Sequence, residues 1–469
     1  MTTQIVLAST AFGLATVTAA DDSGAFAHYE RRILVVVCNT AMPEATTPMH
    51  DIAGVPDLMR QFDAVYDYNA CIEPQHPSIW RPRLGDLPLW ERQFRLLWDL
   101  GADDLHLVVE SIHVDPAQAL CRIFGDARID VYADGLMSYG PTRTAVPEMV
   151  ACRIERLLHL DLVPRFTPLL LSERDVPTTV ISSESFRAVV KTMVADRAAF
   201  TGNDRGALIV GQYLSAGGFL NEGEEFDLYA AMASGCADAG YTSVAFKPHP
   251  SAPTGQLARL SDVARARGVR LAVADERELV EAWFERGGVE LVVGCFSTAL
   301  LTASRLYGLP VARLGTELML ERLTPFQNSN RIPVTLADAL VPDLSSLTPR
   351  EKQLCRFEDA DVQALAVSVG YAMQPLRLAV RRPEAVTFLA HHYESNSRYF
   401  KRRRLTRLGL PGSLPAPQPP PKPTLWHRLH RHVHRARIGL GRRLLGTRLP
   451  SASLDKPASP TVNRRTLGR

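Results

Sequence analysis

Tyr241-Thr242-Ser243-Val244-Ala245-Phe246-Lys247-Pro248-His249-Pro250 runs from an apolar, β-branched segment directly into two prolines. Residues 241–246 predict a buried strand, and the prolines forbid strand or helix beyond it. Lys247 and His249 are thereby held two residues apart at the carboxyl end of a strand. In an open α/β sheet that edge is where ligands bind. A point charge and an imidazole on a stiff backbone suit a nucleotide phosphate, Lys247 by attraction and His249 by donating a proton. A plain strand-to-loop turn carrying solvated polar residues fits the same ten residues, so the surrounding sequence decides.

Outward from that stretch the pattern repeats. Apolar runs at 207–212, 269–273, 290–294 and 309–312 predict further strands, with helices over 225–239, 257–268 and 278–286 between them. Upstream, strands are expected at 3–9, 33–38, 64–68, 105–110 and 129–132, with crossover helices at 90–100 and 116–124. The runs are continuous rather than alternating, which indicates strands covered on both faces and hence parallel sheets. Two successive strand-helix series predict an α/β fold of two Rossmann-like domains facing a cleft. The expected division is an N-terminal domain over 1–185, a second over 186–350, a helical segment over 351–400 and a basic tail over 401–469. The join falls around 175–200, where Ser182-Ser183-Glu184-Ser185 reads as linker or helix cap.

The bulk numbers agree. The chain has 469 residues, 46% of them apolar and 22% charged, enough for two cores. Its seven cysteines are odd in number and scattered, without a Cys-x-x-Cys pair, which argues against a disulfide framework or structural zinc and for a reducing compartment. Met1 to Ala20 carries no charge, and Thr18-Ala19-Ala20 loosely fits a cleavage site, but the positive start of a secretory signal is missing. The expectation is instead a first buried strand, a loop at Gly13 and a helix in the Ala-rich run to Ala27.

The formal net charge of +3 hides a division: residues 401–469 hold 17 Lys/Arg and one acid, Asp455, so the remainder is acidic. Within that tail, 411–423 is Pro-rich and extended by composition. Leu429, Val433, Ala436, Leu440 and Leu444 then form a helical stripe among arginines, weakened by Gly439 and Gly441. Such a segment suits the headgroup region of an anionic membrane, each basic residue contributing about 1 kcal/mol. No base-reading module accompanies it, which weighs against nucleic acid as the partner; a merely solvated tail is the plain alternative.

Two more segments carry chemistry. Val131-Tyr132-Ala133-Asp134-Gly135-Leu136 follows a strand, with Gly135 permitting a sharp turn and Asp134 suited to deprotonating a hydroxyl, or simply to an Asp-Gly turn. Gly294-Cys295-Phe296-Ser297-Thr298 precedes a helix expected over 300–307, so that Ser297 and Thr298 with free backbone N–H groups form a phosphate seat, as they also would any helix start. Gln212 and Ser215 lie in the loop after the first strand of the second series, which lacks Gly-x-Gly-x-x-Gly spacing. No HExxH, P-loop or Asp-x-Asp pair stands out, so neither a metal nor a cofactor is expected.

In type, order and approximate spacing, Asp134-Gly135, His249-Pro250 and Ser297-Thr298 match three motifs, and over residues 1–390 the chain resembles the bacterial α-2,8-polysialyltransferase family and, more distantly, other GT-B sialyltransferases. The resemblance implies cytoplasmic, metal-independent, inverting transfer of sialic acid, or a related nonulosonic acid, from a CMP-activated donor to a glycan or glycolipid hydroxyl of a capsule or surface polysaccharide. It casts 1–185 as acceptor domain and 186–350 as donor domain, Asp134 as general base and His249 as acid or phosphate contact. Lys247, Pro248, Pro250, Ser297, Thr298, Gln212 and Ser215 would line the donor site. The family's motif opens with an acidic residue where this chain has Ala133, leaving one carboxylate. Two rivals remain: a CDP-glycerol glycerophosphotransferase, whose fold also presents Lys-x-His-Pro, and a non-catalytic, surface-associated nucleotide-binding protein.

Overall fold

The computed structural model describes residues 1–414 apart from Asp134, Tyr213 and residues 195–205, 249–254 and 348–360. Two sheets, every pairing parallel, organise this part of the chain. The first contains β1 (Thr2–Ala8), β2 (Arg31–Val36), β3 (Ala64–Asp67), β4 (Asp104–Glu110), β5 (Arg128–Tyr132), β6 (Ile154–Leu160) and β7 (Thr178–Ile181), in the order β3-β2-β1-β4-β5-β6-β7. The second contains β8 (Gly206–Val210), β9 (Ser243–Lys247), β10 (Arg270–Val273), β11 (Val289–Gly294) and β12 (Val311–Arg313), in the order β10-β9-β8-β11-β12. Each order reverses direction once, between β1 and β4 and between β8 and β11. Ligands of doubly wound sheets bind beyond the carboxyl ends of the strands at such a reversal.

Side-chain alternation builds the core. Ile5, Leu7, Val35, Leu107, Val109, Val131 and Ala133 face one side of the first sheet, against Tyr68, Phe94, Trp98 and Phe124. Val6, Ala8, Leu34, Val108, Tyr132 and Leu158 face the other, against the helix Ala11–Asp22. That second cluster continues without a break into the second sheet and the C-terminal helices, and Met1–Leu414 accordingly forms one compact unit.

Some expectations shift. The first helix starts at Ala11 on an N-cap from Thr10, so Gly13 lies within it rather than in a loop before it. Strands β6 and β7 escaped the sequence reading. Ile154-Glu155-Arg156-Leu157 mixes charge into a strand, and the charge is tolerated because Arg156 donates twice to buried Asp130, at 2.7 and 2.9 Å. Ser182 is a helix cap, accepting from Ser185 N at the start of Ser183–Thr192.

The carboxyl edges of the two sheets meet. Ala53, after β2, donates its N–H to Arg277 O after β10 at 2.8 Å. Leu136, after β5, donates to the Thr298 hydroxyl after β11 at 3.3 Å. Helices Asp361–Met373 and Arg382–Asn396 then return to the first sheet, where Gln374 donates to Arg143 O and Gly370 packs on Leu169. The helix Arg402–Leu408 closes the unit, with Leu405 and Leu410 buried. Chain order, parallel sheets and facing edges give the GT-B-like α/β architecture. Among the described residues no helix is long and apolar enough to cross a membrane.

Candidate active site

The second sheet's reversal is tied by a polar ladder. Gln212, just past β8, accepts through Oε1 from Phe296 N just past β11, at 2.8 Å. Its own N–H donates to the Tyr229 hydroxyl at 2.8 Å, and that hydroxyl donates to Glu225 Oε1 at 2.9 Å. Glu225, 1% exposed, also accepts from Leu214 N at 2.5 Å and Ser215 N at 3.1 Å. A buried carboxylate one helical turn from a tyrosine thus holds the loop after β8 in place. The Ser215 hydroxyl is buried beside it and has no hydrogen-bond partner among the described residues. Neither Glu225 nor Tyr229 was singled out from sequence; the available signal was Asn221 and Glu224, which form a capping box at the start of Glu222–Asp238.

Ser297 is the N-cap of the helix Thr298–Tyr307, accepting from Ala299 N at 3.3 Å. Both Ser297 and Thr298 are half-buried at the open end of that helix. The positive end of the helix dipole favours an anion there. Thr298 also reaches the other sheet, since its hydroxyl accepts from Leu136 N. Gly135 makes the approach possible. Its φ is +53°, and a Cβ there would stand 2.4 Å from Thr298 Cγ2. Two of the three segments named by the sequence, 135–136 and 297–298, are therefore in contact.

Lys247 and Pro248 are buried at the end of β9. Lys247 Nζ donates to Glu276 O at 3.2 Å. Burial pulls its pKa down to about 8, although Asp275, Glu278, Glu276 and Glu281 oppose the shift. Its ammonium therefore supports the loop after β10 rather than standing open in the cleft. Asp134, His249 and Pro250 lie outside the described residues.

A further cluster, not anticipated, occupies the first sheet's reversal. Glu110 ends β4 and is paired in register with Tyr132 of β5. Ser9, just past β1, donates its hydroxyl to Glu110 Oε1, and the Tyr132 hydroxyl reaches Oε2 at 3.2 Å and Leu7 O at 2.7 Å. Ala133, by contrast, faces the apolar side of the sheet and is 5% exposed among Val109, Val131 and Ile154.

A family model for alpha-2,8-polysialyltransferase (POLYST) matches residues 4–316, from within β1 to just past β12. The chain belongs to the alpha-2,8-polysialyltransferase family. This polysialyltransferase-family chain is a glycosyltransferase, and the match covers both reversals and the segments around Gly135, Lys247 and Ser297. A search of the curated proteins finds no match. Among solved structures it is similar to MurG of Acinetobacter baumannii, at 11% identity over 74% of this chain and 87% of that one with a TM-score of 0.38. It is similar to the UDP-GlcNAc 2-epimerase of Methanocaldococcus jannaschii, at 8% identity over 81% and 99% with a TM-score of 0.43. It is also similar to the GT-B domain of a sialyltransferase from Photobacterium damselae, at 12% identity over 64% and 88% with a TM-score of 0.36.

Proposed function

We propose that this chain transfers sialic acid, or a related nonulosonic acid, from a CMP-activated donor to a glycan hydroxyl, with inversion at the anomeric carbon and without a metal. The observation that carries this reading is the contact of Gly135 and Leu136 with Thr298, because it joins a first-sheet motif to a second-sheet motif across the two carboxyl edges. Asp134, next to Gly135 in the chain, takes the proton of the acceptor hydroxyl as that oxygen attacks the anomeric carbon. The bond from that carbon to the phosphate oxygen breaks, and its electron pair leaves with CMP. His249 donates to the departing phosphate, and Ser297, Thr298 and the N–H groups of their helix receive the developing charge. Gln212 and Ser215 shape the donor side, with Pro248 and Pro250 stiffening the segment around His249. Lys247 adds positive charge behind it.

The first 185 residues serve the acceptor and residues 186–350 the donor. Attachment to the inner face of an anionic membrane through 401–469 brings lipid-linked acceptors close. The test is nucleotide release from CMP-sialic acid and, separately, from CDP-glycerol, with and without an oligosialic acceptor. Acceptor-stimulated CMP release from CMP-sialic acid, undiminished by a chelator, is expected. Asp134→Ala and His249→Ala should each lower it about a hundredfold or more with the melting temperature kept. Normal transfer by both variants, or release from CDP-glycerol alone, ends this reading.

A further inference from the structure

We infer that Ser9, held by Glu110, is an acceptor-binding residue that positions the acceptor sugar through a hydroxyl next to the one that attacks. This rests on the transferase reading above. Ser9 lies just past β1 and Glu110 ends β4, the two strands that flank the first sheet's reversal. Glu110 is 6% exposed, and an ionised carboxylate only accepts. Ser9 and Tyr132 both point a hydroxyl at it, one at each oxygen. The helix Ala11–Asp22 presses its first turn onto the same carboxylate. A Cβ on Gly13 would stand 3.0 Å from Glu110 Oε2, 3.1 Å from Thr10 Oγ1 and 3.3 Å from the Tyr132 hydroxyl.

The consequence lies in Ser9, which is half-buried where Glu110 is not exposed. Its proton is committed to Glu110, which leaves its oxygen lone pairs to act as acceptors. A charge-assisted bond behind a hydroxyl strengthens the next bond in the chain. A sugar O–H donating to Ser9 Oγ is thereby fixed, and it holds the neighbouring hydroxyl of the same sugar, whose own proton faces the base, in place for attack. Glu110 is a positioning residue, acting through Ser9; the proton of the attacking hydroxyl goes to the base.

The test compares Ser9→Ala, Ser9→Thr and Glu110→Gln in the full chain with CMP-sialic acid, reading CMP release with and without an oligosialic acceptor. Ser9→Ala and Glu110→Gln should lower the ratio of acceptor-stimulated to acceptor-independent release roughly ten- to a hundredfold, while donor KM and melting temperature hold. Ser9→Thr, which keeps a hydroxyl, should restore most of it. An unchanged ratio in Ser9→Ala, or a parallel fall in both kinds of release in every variant, overturns the inference. If the wild-type chain releases no CMP, the transferase reading fails instead. Calorimetric binding of a sialyl oligosaccharide then decides the Ser9 contact: weaker with Ser9→Ala and kept with Ser9→Thr upholds it, and equal binding by all three overturns it.

Discussion

At Gly135 the backbone holds a φ of +53° while the chain passes close under Thr298. An L side chain in that conformation costs about 1–2 kcal/mol before any clash, and a Cβ would overlap the Thr298 side chain. Gly135→Ala is therefore expected to separate the two edges, lowering transfer at least tenfold with a folded protein as judged by circular dichroism. Equal turnover would show that this contact does not set the catalytic geometry. Lys247 makes a different kind of prediction. Its folded pKa is depressed to about 8 from the ordinary 10.5, so the folded chain sheds a proton that the unfolded chain keeps across that interval. Stability must then rise with pH from about 8 to 10.5 on this group's account, and below 8 the cost of burying the charge is constant. Lys247→Met should flatten that rise in melting temperature measured against pH, and an unchanged profile would place the titration elsewhere.

Among the elements, the loop after β8 depends on one carboxylate at the fourth residue of the next helix. Glu225→Gln keeps the shape but replaces a charged acceptor of Leu214 N, Ser215 N and the Tyr229 hydroxyl with a neutral amide. Hydrogen bonds to charged groups contribute about 1.5–3 kcal/mol each in net terms. A loss of about 2 kcal/mol in urea unfolding and a raised donor KM are expected; a lowered midpoint with an unaltered donor KM would separate the loop's stability from donor binding. The same elements show where sequence is informative. Strands β2, β8, β9 and β11 are mostly apolar runs, and their hydropathy alone reveals them. Strand β6 is hidden because Arg156 looks solvated until Asp130 is seen opposite it. Ser297 was legible as a cap because capping is local. Glu225, Tyr229, Ser9 and Glu110 were not, since each acquires meaning only when strands far apart in the chain end side by side. A buried carboxylate is indistinguishable in sequence from a solvated one.

For the whole molecule, the continuous core joining both sheets means that both carboxyl edges stand on one folded body, Met1–Leu414. Its end is set by packing rather than by composition. The basic tail begins at Lys401 in sequence, yet Leu405 and Leu410 are 0% and 2% exposed and Arg404 donates to Ala372 O at 2.8 Å. Burying two leucines stabilises by about 3–6 kcal/mol, so the point of truncation matters. A chain ending at Leu414 should unfold at the same temperature as the full chain and transfer sialic acid equally well to a soluble acceptor. A chain ending at Phe400 should lose several kcal/mol of stability in urea titration. If the remaining basic segment serves as the membrane attachment, the chain ending at Leu414 should no longer pellet with vesicles rich in anionic lipid, whereas the full chain pellets at low salt and is released as salt screens the charges. Equal pelleting by both chains would remove the tail from any account of where the acceptor is met and turn attention to the folded body itself.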